Sequence, residues 1–191
     1  MNQHIKNDKC CNTPNQKCSN CPNKCQHPVN SKIRTDINEI IFDKDKKAVM
    51  RMRRKAFDKA MFSICSRPPE SGGLWIGPVG TYEITDFYFD SGGTFSSASY
   101  SPDHVTLNRK LKEEWVPMGL EFFGFCHSHP RCLDWPTMED VVYIKRLLKI
   151  NPEMLMFFAP IIIPSEFRMR PAVVFRNNPD KVVEAKIEFF E

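Results

Sequence analysis

The chain changes character near residue 37. Before that point large apolar side chains are almost absent, and after it apolar positions recur with the periods of strands and helices. Residues 37–42 read as a strand that ends at the polar run 43–47. Val49, Met52, Ala56, Phe57, Ala60, Phe62 and Ile64 then recur as the apolar positions of a predicted helix, with Lys47, Arg51, Arg54 and Lys55 as a solvated basic stripe on it. Pro68 and Pro69 break that pattern just ahead of Glu70, and residues 74–79 and 81–89 predict a hairpin turning at Pro78-Val79-Gly80. The stretch 90–103 is rich in Gly and Ser around a short strand near 98–100 and reads as a rim. A second helix runs from Pro102-Asp103 to about Trp115, stopping before Pro117. Residues 120–126 form a continuous apolar run, the mark of a strand buried on both faces. A helix over 141–150 follows, and then apolar stretches at 154–163 (interrupted by Pro160), 167–176 and 182–190 predict the closing strands. Helices distributed among strands predict an α/β or α+β domain built on one mixed sheet.

The 191 residues suffice for one domain with a real core, here 37–191, and a separate segment, 1–36. A net charge of +4 with acids and bases intermixed is too mild to demand a nucleic-acid partner. The first nine residues are polar, which argues against a signal peptide, and no apolar run reaches the roughly 20 residues of a membrane span. A soluble, cytoplasmic protein is the expectation. The segment 1–36 cannot bury enough apolar surface to offset its ordering entropy, yet it carries Cys10, Cys11, Cys18, Cys21 and Cys25, with His27 beyond. In a cytoplasmic protein that density suggests metal before disulfides, and the Cys18-x-x-Cys21-x-x-x-Cys25 spacing suits a metal knuckle. A structural zinc and an iron–sulfur cluster both fit such thiolates, and a thiol-rich tail without metal is the remaining reading.

The densest candidate chemistry lies in FCHSHPRCLDWPTMED, residues 125–140. His127 and His129 sit two apart at a strand end, so their rings share a face while Ser128 points away. Pro130 ends the strand, and the helix that follows returns Asp140 on its first turn. Two imidazoles and a carboxylate leave a tetrahedral zinc one open position, as catalytic zinc requires. Thr137-x-x-Asp140 is also a capping signature, so Asp140 can equally be read as part of a helix cap. Cys126 alternates to the face opposite His127 and reads as packing; Cys132 reads as a loop thiol, Trp135 as a lid or packing residue, and His104 as a polar residue near a helix start.

His127-Ser128-His129-Pro130, followed after Pro136 by Thr137 and three further on by Asp140, resembles the signature of the JAMM (JAB1/MPN/Mov34) metallopeptidases, over roughly residues 37–191. The family's serine is Thr137 here, which keeps the hydroxyl. The resemblance implies an MPN/JAB-like mixed, curved sheet flanked by helices, with cytidine-deaminase-like layering. It implies Zn²⁺ on His127, His129 and Asp140, with Glu70 in PPESGGLWIG as the catalytic acid/base and Thr137 helping to hold the tetrahedral intermediate. It further implies hydrolysis of a peptide or isopeptide bond at the C-terminal glycine of a ubiquitin-like protein, by a bacterial single-domain type. Such proteins act beside ubiquitin-activating-like and conjugating-like enzymes in antiphage defence, or process sulfur carriers. Alternatives within the resemblance are a nucleic-acid-associated, DNA-repair type of member and a non-catalytic MPN scaffold. A zinc nucleoside deaminase is set aside because its His-x-Glu and Pro-Cys-x-x-Cys signature is missing.

Overall fold

A computed structural model describes residues 42–43, 46–67, 70–97, 99–130 and 133–191. The five N-terminal cysteines, most of the strand expected at 37–42, and Cys132 lie outside these residues.

The first described strand, β1 (Ala48–Arg53), corrects the sequence expectation of a helix there; the helix, α1, occupies Arg54–Cys65. The apolar spacing of 49 and 52 happens to continue the helical period of 56, 60 and 64. Parallel pairing of β1 with β12 (Val182–Phe190) supplies backbone partners along the whole strand, and that tertiary ladder overrides the local pattern. The basic stripe is divided accordingly, with Arg51 on β1 and Arg54 and Lys55 in the first turn of α1. Two cations at a helix N-terminus oppose the macrodipole. The Arg54 guanidinium lies 3.5 Å above the Phe189 ring, a cation–π contact that works against that cost.

Next come β2 (Gly72–Pro78), β3 (Glu83–Ile84) and β4 (Asp86–Phe89). The single return strand expected over 81–89 is two strands. Tyr82 takes φ +53°, and β3 leaves to pair with β1 while β4 alone forms the antiparallel partner of β2. A small hairpin of β5 (Thr94–Phe95) and β6 (Tyr100–Ser101) occupies the expected rim. The helix α2 (His104–Lys110) opens on Asp103, whose side chain accepts from Thr106 N, and passes into a π-helical turn, Leu111–Trp115. The long strand β7 (Leu120–Ser128), α3 (Met138–Ile150), and β8 (Met156–Phe158), β9 (Ile161–Ile163), β10 (Arg168–Arg170) and β11 (Ala172–Phe175) complete the chain before β12.

Among the described residues the main sheet has β7 at its centre: antiparallel to β2 on one edge, parallel to β8 and β9 on the other. From β8 the sheet continues through β11, β12 and β1 to β3. A hydrogen bond from Thr85 N to Ile76 O (2.9 Å) then ties the β3–β4 corner back to β2. The sheet thus curls on itself and nearly closes, a mixed curved sheet flanked by helices. Adjacent residues divide between its two faces. Phe158 and Val173 pack in the core under α1 with Met50, Ala56, Ala60 and Trp75, while Phe157 and Val174 pack under α3 with Ile144 and Leu148. Burial on both faces explains why β7 reads as unbroken apolar sequence. Arg176 caps the C-terminal end of α3, donating to the Leu148 and Asn151 carbonyls at the helix end and to the Met154 carbonyl beyond it.

Candidate metal centre

A β-bulge decides which way the histidines face. Trp75 pairs with Gly124 but Ile76 with Phe122, so Phe123 is an extra residue in β7. Strict alternation would group Phe123 with Phe125 and His127. Instead Phe123 packs with Cys126 in the core under α1, and Phe122 with Phe125 under α3. The parity flip turns His127 toward the α3 face. Gly124 makes the bulge feasible: its φ is +154°, and a Cβ there would stand 1.9 Å from the Phe158 carbonyl oxygen. Gly124→Ala is therefore expected to cost about 2–5 kcal/mol of folding stability, from strain and overpacking together, and thermal denaturation reads it. An unchanged melting temperature would remove the bulge from this role.

Beyond the bulge, His127 and His129 are both buried, and their Nε2 atoms stand 2.8 Å apart. His129 is fixed at its backbone by donation from its N to Ile162 O (3.0 Å), and at its ring by Nδ1 donating to the Leu133 carbonyl (3.0 Å). With Nδ1 so engaged, Nε2 is the ring nitrogen turned toward His127 and Asp140. His127 is held by rings rather than a hydrogen bond. Phe125 lies 5.4 Å and Tyr100 6.2 Å away between centroids, and its buried Nδ1 makes no hydrogen bond among the described residues.

Asp140 arrives on the first turn of α3, and its two oxygens divide two tasks. Oδ2 accepts from Thr137 N (2.7 Å) and Thr137 Oγ1 (2.8 Å), while Asp140 N donates back to Thr137 Oγ1 (3.3 Å), a complete capping box. At the same time Oδ1 lies 3.4 Å from His127 Nε2, and Oδ2 3.6 Å from His129 Nε2. The capping box is therefore present, and it leaves the carboxylate facing both imidazoles, so capping does not exclude a ligand role. Burial disfavours the Asp140 anion, but the facing imidazoles and the Thr137 N–H outweigh it and hold the carboxyl well below the usual carboxylate range. The single Thr137 hydroxyl proton lies on Asp140 Oδ2, so here Thr137 orients the carboxylate.

Glu70, only 8% exposed, joins the group: a carboxylate oxygen and one ring nitrogen of each of His127 and His129 lie within 4.8 Å of one another. Ser128, between the histidines, anchors it. Ser71 N donates to Ser128 Oγ (3.0 Å) and Ser128 N to Ser71 O (2.8 Å), while Glu70 N donates to Ser96 O (2.5 Å). The acid is clipped from one side by the histidine strand and from the other by the β5–β6 hairpin.

Zinc bonds of about 2.0–2.2 Å place two tetrahedral ligands about 3.3 Å apart. The separations of 2.8 Å between the imidazoles and of 3.4 and 3.6 Å from them to Asp140, the last two to different carboxylate oxygens, lie near that edge, and Glu70 stands with the two histidines as a group that could hold a metal. A cavity of about 250 Å³ opens onto them, walled by Tyr100, Phe125, Tyr143 and Glu139. Cys126 faces away and burial pushes its thiol up, which suits packing and not nucleophilic chemistry.

Several supporting residues had no signal in the sequence. Asp134 receives Arg170 (2.7 Å) and Arg168 (3.4 Å), and Arg170 also covers Trp135 at 4.7 Å; together they pin the loop that presents the Leu133 carbonyl. Buried Asp90 accepts from Tyr100 Oη (2.8 Å) and Asp103 N (2.9 Å), latching the β5–β6 hairpin over His127. Burial first, then the Asp90 charge, pushes the Tyr100 phenol far up, so it stays a donor. Tyr100→Phe should destabilise the fold by about 1–3 kcal/mol, because Asp90 is left underbonded, and should speed proteolysis within 91–101. Wild-type cleavage rates would show that the latch holds nothing.

No family model matches the chain, and no curated protein matches it. Solved structures do. Protein DSY2949 from Desulfitobacterium hafniense, determined in solution, is 21% identical, covering 75% of this chain and 93% of its own, with a TM-score of 0.56. AF2198, a JAB1/MPN domain protein from Archaeoglobus fulgidus, is 18% identical, covering 73% of this chain and 98% of its own, with a TM-score of 0.44. The likeness to DSY2949 is a likeness of fold.

Proposed function

We propose that this chain is a zinc metallopeptidase of the JAMM type. On this reading it hydrolyses a peptide or isopeptide bond at the C-terminal glycine of a ubiquitin-like protein, in deconjugation or precursor processing. The observation that carries the reading is the gathering of Glu70, His127 and His129 into one buried group, with the Asp140 carboxylate 3.4 and 3.6 Å from the two imidazoles.

In this mechanism His127 and His129, as neutral imidazoles, and Asp140, as an anion, would hold the ion, and zinc so held would supply Lewis acidity to a water nucleophile and to the scissile carbonyl. Glu70 is the proton carrier. A carboxylate oxygen takes a proton from the attacking water and later delivers it to the departing amine. Thr137 keeps Asp140 oriented through the capping box, and Tyr100 and Phe125 exclude solvent around His127. No side chain becomes covalently attached to the substrate.

The cleft, about 250 Å³, is small beside typical ligand pockets of about 300–1,000 Å³ and suits a chain segment without bulky side chains at the scissile bond, as a terminal diglycine is. The partners proposed are the ubiquitin-like protein and the activating-like and conjugating-like enzymes that would attach it, in the cytoplasm. No helix among the described residues is long and apolar enough to cross a membrane. The direct experiment is incubation of the zinc-loaded chain with a ubiquitin-like protein fused through its terminal glycine to a reporter. Cleavage after that glycine, abolished by a chelator, is the expected result; an intact fusion beside fully loaded protein would contradict the reading.

The five N-terminal cysteines are proposed to hold a second metal, as structural zinc or an iron–sulfur cluster. Metal analysis is then expected to find about one more metal equivalent in the whole chain than in a chain beginning near Ser31. Equal content would leave Cys10, Cys11, Cys18, Cys21 and Cys25 without that role.

A further inference from the structure

Amide hydrolysis gains most from a donor already aimed at the oxygen on which negative charge collects as the scissile carbonyl becomes tetrahedral. Thr137 is not free to be that donor. Its one hydroxyl proton goes to Asp140 Oδ2 (2.8 Å), and its oxygen accepts from Asp140 N (3.3 Å). Other hydroxyls that line the metal cleft are engaged as well: Tyr100 Oη donates to Asp90 (2.8 Å), and Ser99 Oγ bonds Ser96 Oγ (2.7 Å). Ser101 lines the cleft but is exposed to solvent. That leaves Tyr143. It lines the same cleft, it is half-buried, and its phenol has no hydrogen-bond partner among the described residues.

We propose that Tyr143 is a catalytic residue of this site, its phenol donating a hydrogen bond to the oxygen of the scissile carbonyl as that oxygen takes up negative charge. The proposal rests on the peptidase reading for the reaction, and on three observations for the residue. Tyr143 stands three residues beyond Asp140 on α3, so the two side chains leave neighbouring positions on one face of the helix. Its ring packs on Phe125 (centroids 5.9 Å apart), and Phe125 packs in turn on His127 (5.4 Å), so the phenol is carried by the strand that presents the histidines. Burial first, and then the charge of Asp90, push its phenol above the ordinary value, so it keeps its proton and remains a donor.

No proton leaves Tyr143 in this role. A hydrogen bond to a neutral carbonyl is modest and one to an oxyanion is roughly twice as strong, so the contact favours the transition state over the bound substrate. The work is thereby divided among three side chains: Thr137 orients Asp140, Glu70 carries the proton, and Tyr143 meets the developing charge.

Tyr143→Phe deletes the donor and keeps the ring that packs on Phe125. In the full-length, zinc-loaded protein, kcat for the reporter fusion is expected to fall about 10²–10³-fold, with KM within about two-fold of wild type. A second readout is independent of turnover. A fluorescein-labelled Gly/Ser peptide with a phosphinate in place of one amide mimics the tetrahedral anion, and its affinity should fall at least about ten-fold in Tyr143→Phe. The same peptide with its amide intact, titrated against Glu70→Gln with and without Tyr143→Phe, should bind equally. Zinc content and melting temperature should match wild type, and Ser101→Ala should alter none of these readouts. An unchanged kcat, or a phosphinate affinity that falls no further than that of the amide peptide, would overturn the role. Loss of zinc in Tyr143→Phe, or an equal loss of phosphinate binding in Ser101→Ala, would overturn it too. Wild-type protein that neither cleaves the fusion nor binds the phosphinate would contradict the peptidase reading itself, and the role of Tyr143 with it.

Discussion

Glu70→Gln is expected to keep zinc at the wild-type stoichiometry and to lower the rate of cleavage by about 10²–10⁴-fold, the range over which a positioned acid/base acts. The substitution is nearly isosteric. It leaves the backbone clip from Glu70 N to Ser96 O and the neighbouring Ser71–Ser128 pair in place, so the segment should hold its path. The amide, however, cannot take a proton from water. Single-turnover cleavage of the fusion substrate, with zinc measured on the same sample, separates the two effects. A variant that loses zinc would make Glu70 a ligand, and one with full activity would remove it from the mechanism.

Replacing Asp140 should act on the other half of the site. Asp140→Ala removes the anionic ligand of the proposed zinc site and also opens the capping box, because Thr137 N and Thr137 Oγ1 both donate to its Oδ2. The expected fall in zinc affinity exceeds about 100-fold, beyond the 10–100-fold typical of losing an outer partner, with loss of about 0.5–2 kcal/mol from the cap alone. Competition with a chromogenic chelator measures the first and denaturant unfolding of the metal-free protein the second. Metal-free stability should also show the depressed Asp140 carboxyl. A lowered folded-state value adds stability that is complete above the usual carboxylate range near 4 and is lost as the pH falls below it. Asp140→Ala should therefore flatten the acid limb of the stability profile. Unchanged zinc affinity would leave Asp140 as a helix cap only.

What could be read from the sequence was whatever is local. His127, His129 and Asp140 lie within one short stretch, so the two-residue period of a strand and the first turn of the following helix are enough to bring them together on paper. Glu70 had no such signal, since its position depends on Ser128, 57 residues away from Ser71, and on the β5–β6 hairpin. Only the family resemblance pointed to it. The bulge that aims His127 was equally hidden, because Phe122-Phe123-Gly124-Phe125 looks the same with or without an extra residue in register.

The fold followed the same division. A mixed sheet flanked by helices was legible from the alternation of elements, and Pro160 already marked the break between β8 and β9. Residues 48–53 carry a helical period yet form a strand, because their partner, β12, lies at the other end of the chain, and pairing at that range leaves no trace in a local period. Residues 81–89 were misread as one strand because the left-handed turn at Tyr82 falls on a residue that rarely adopts it. Its hydroxyl accepts a hydrogen bond from Leu155 N (2.8 Å), a tertiary contact that helps to fix the turn.

The most direct measurement is anomalous diffraction at the zinc edge from crystals of the full chain. One peak is expected about 2.0–2.2 Å from His127 Nε2, His129 Nε2 and an Asp140 carboxylate oxygen, with the Glu70 carboxylate beside the remaining coordination position. A zinc-replete crystal with no peak between those three side chains, or with Glu70 occupying the ion's fourth position as a ligand, would contradict that arrangement.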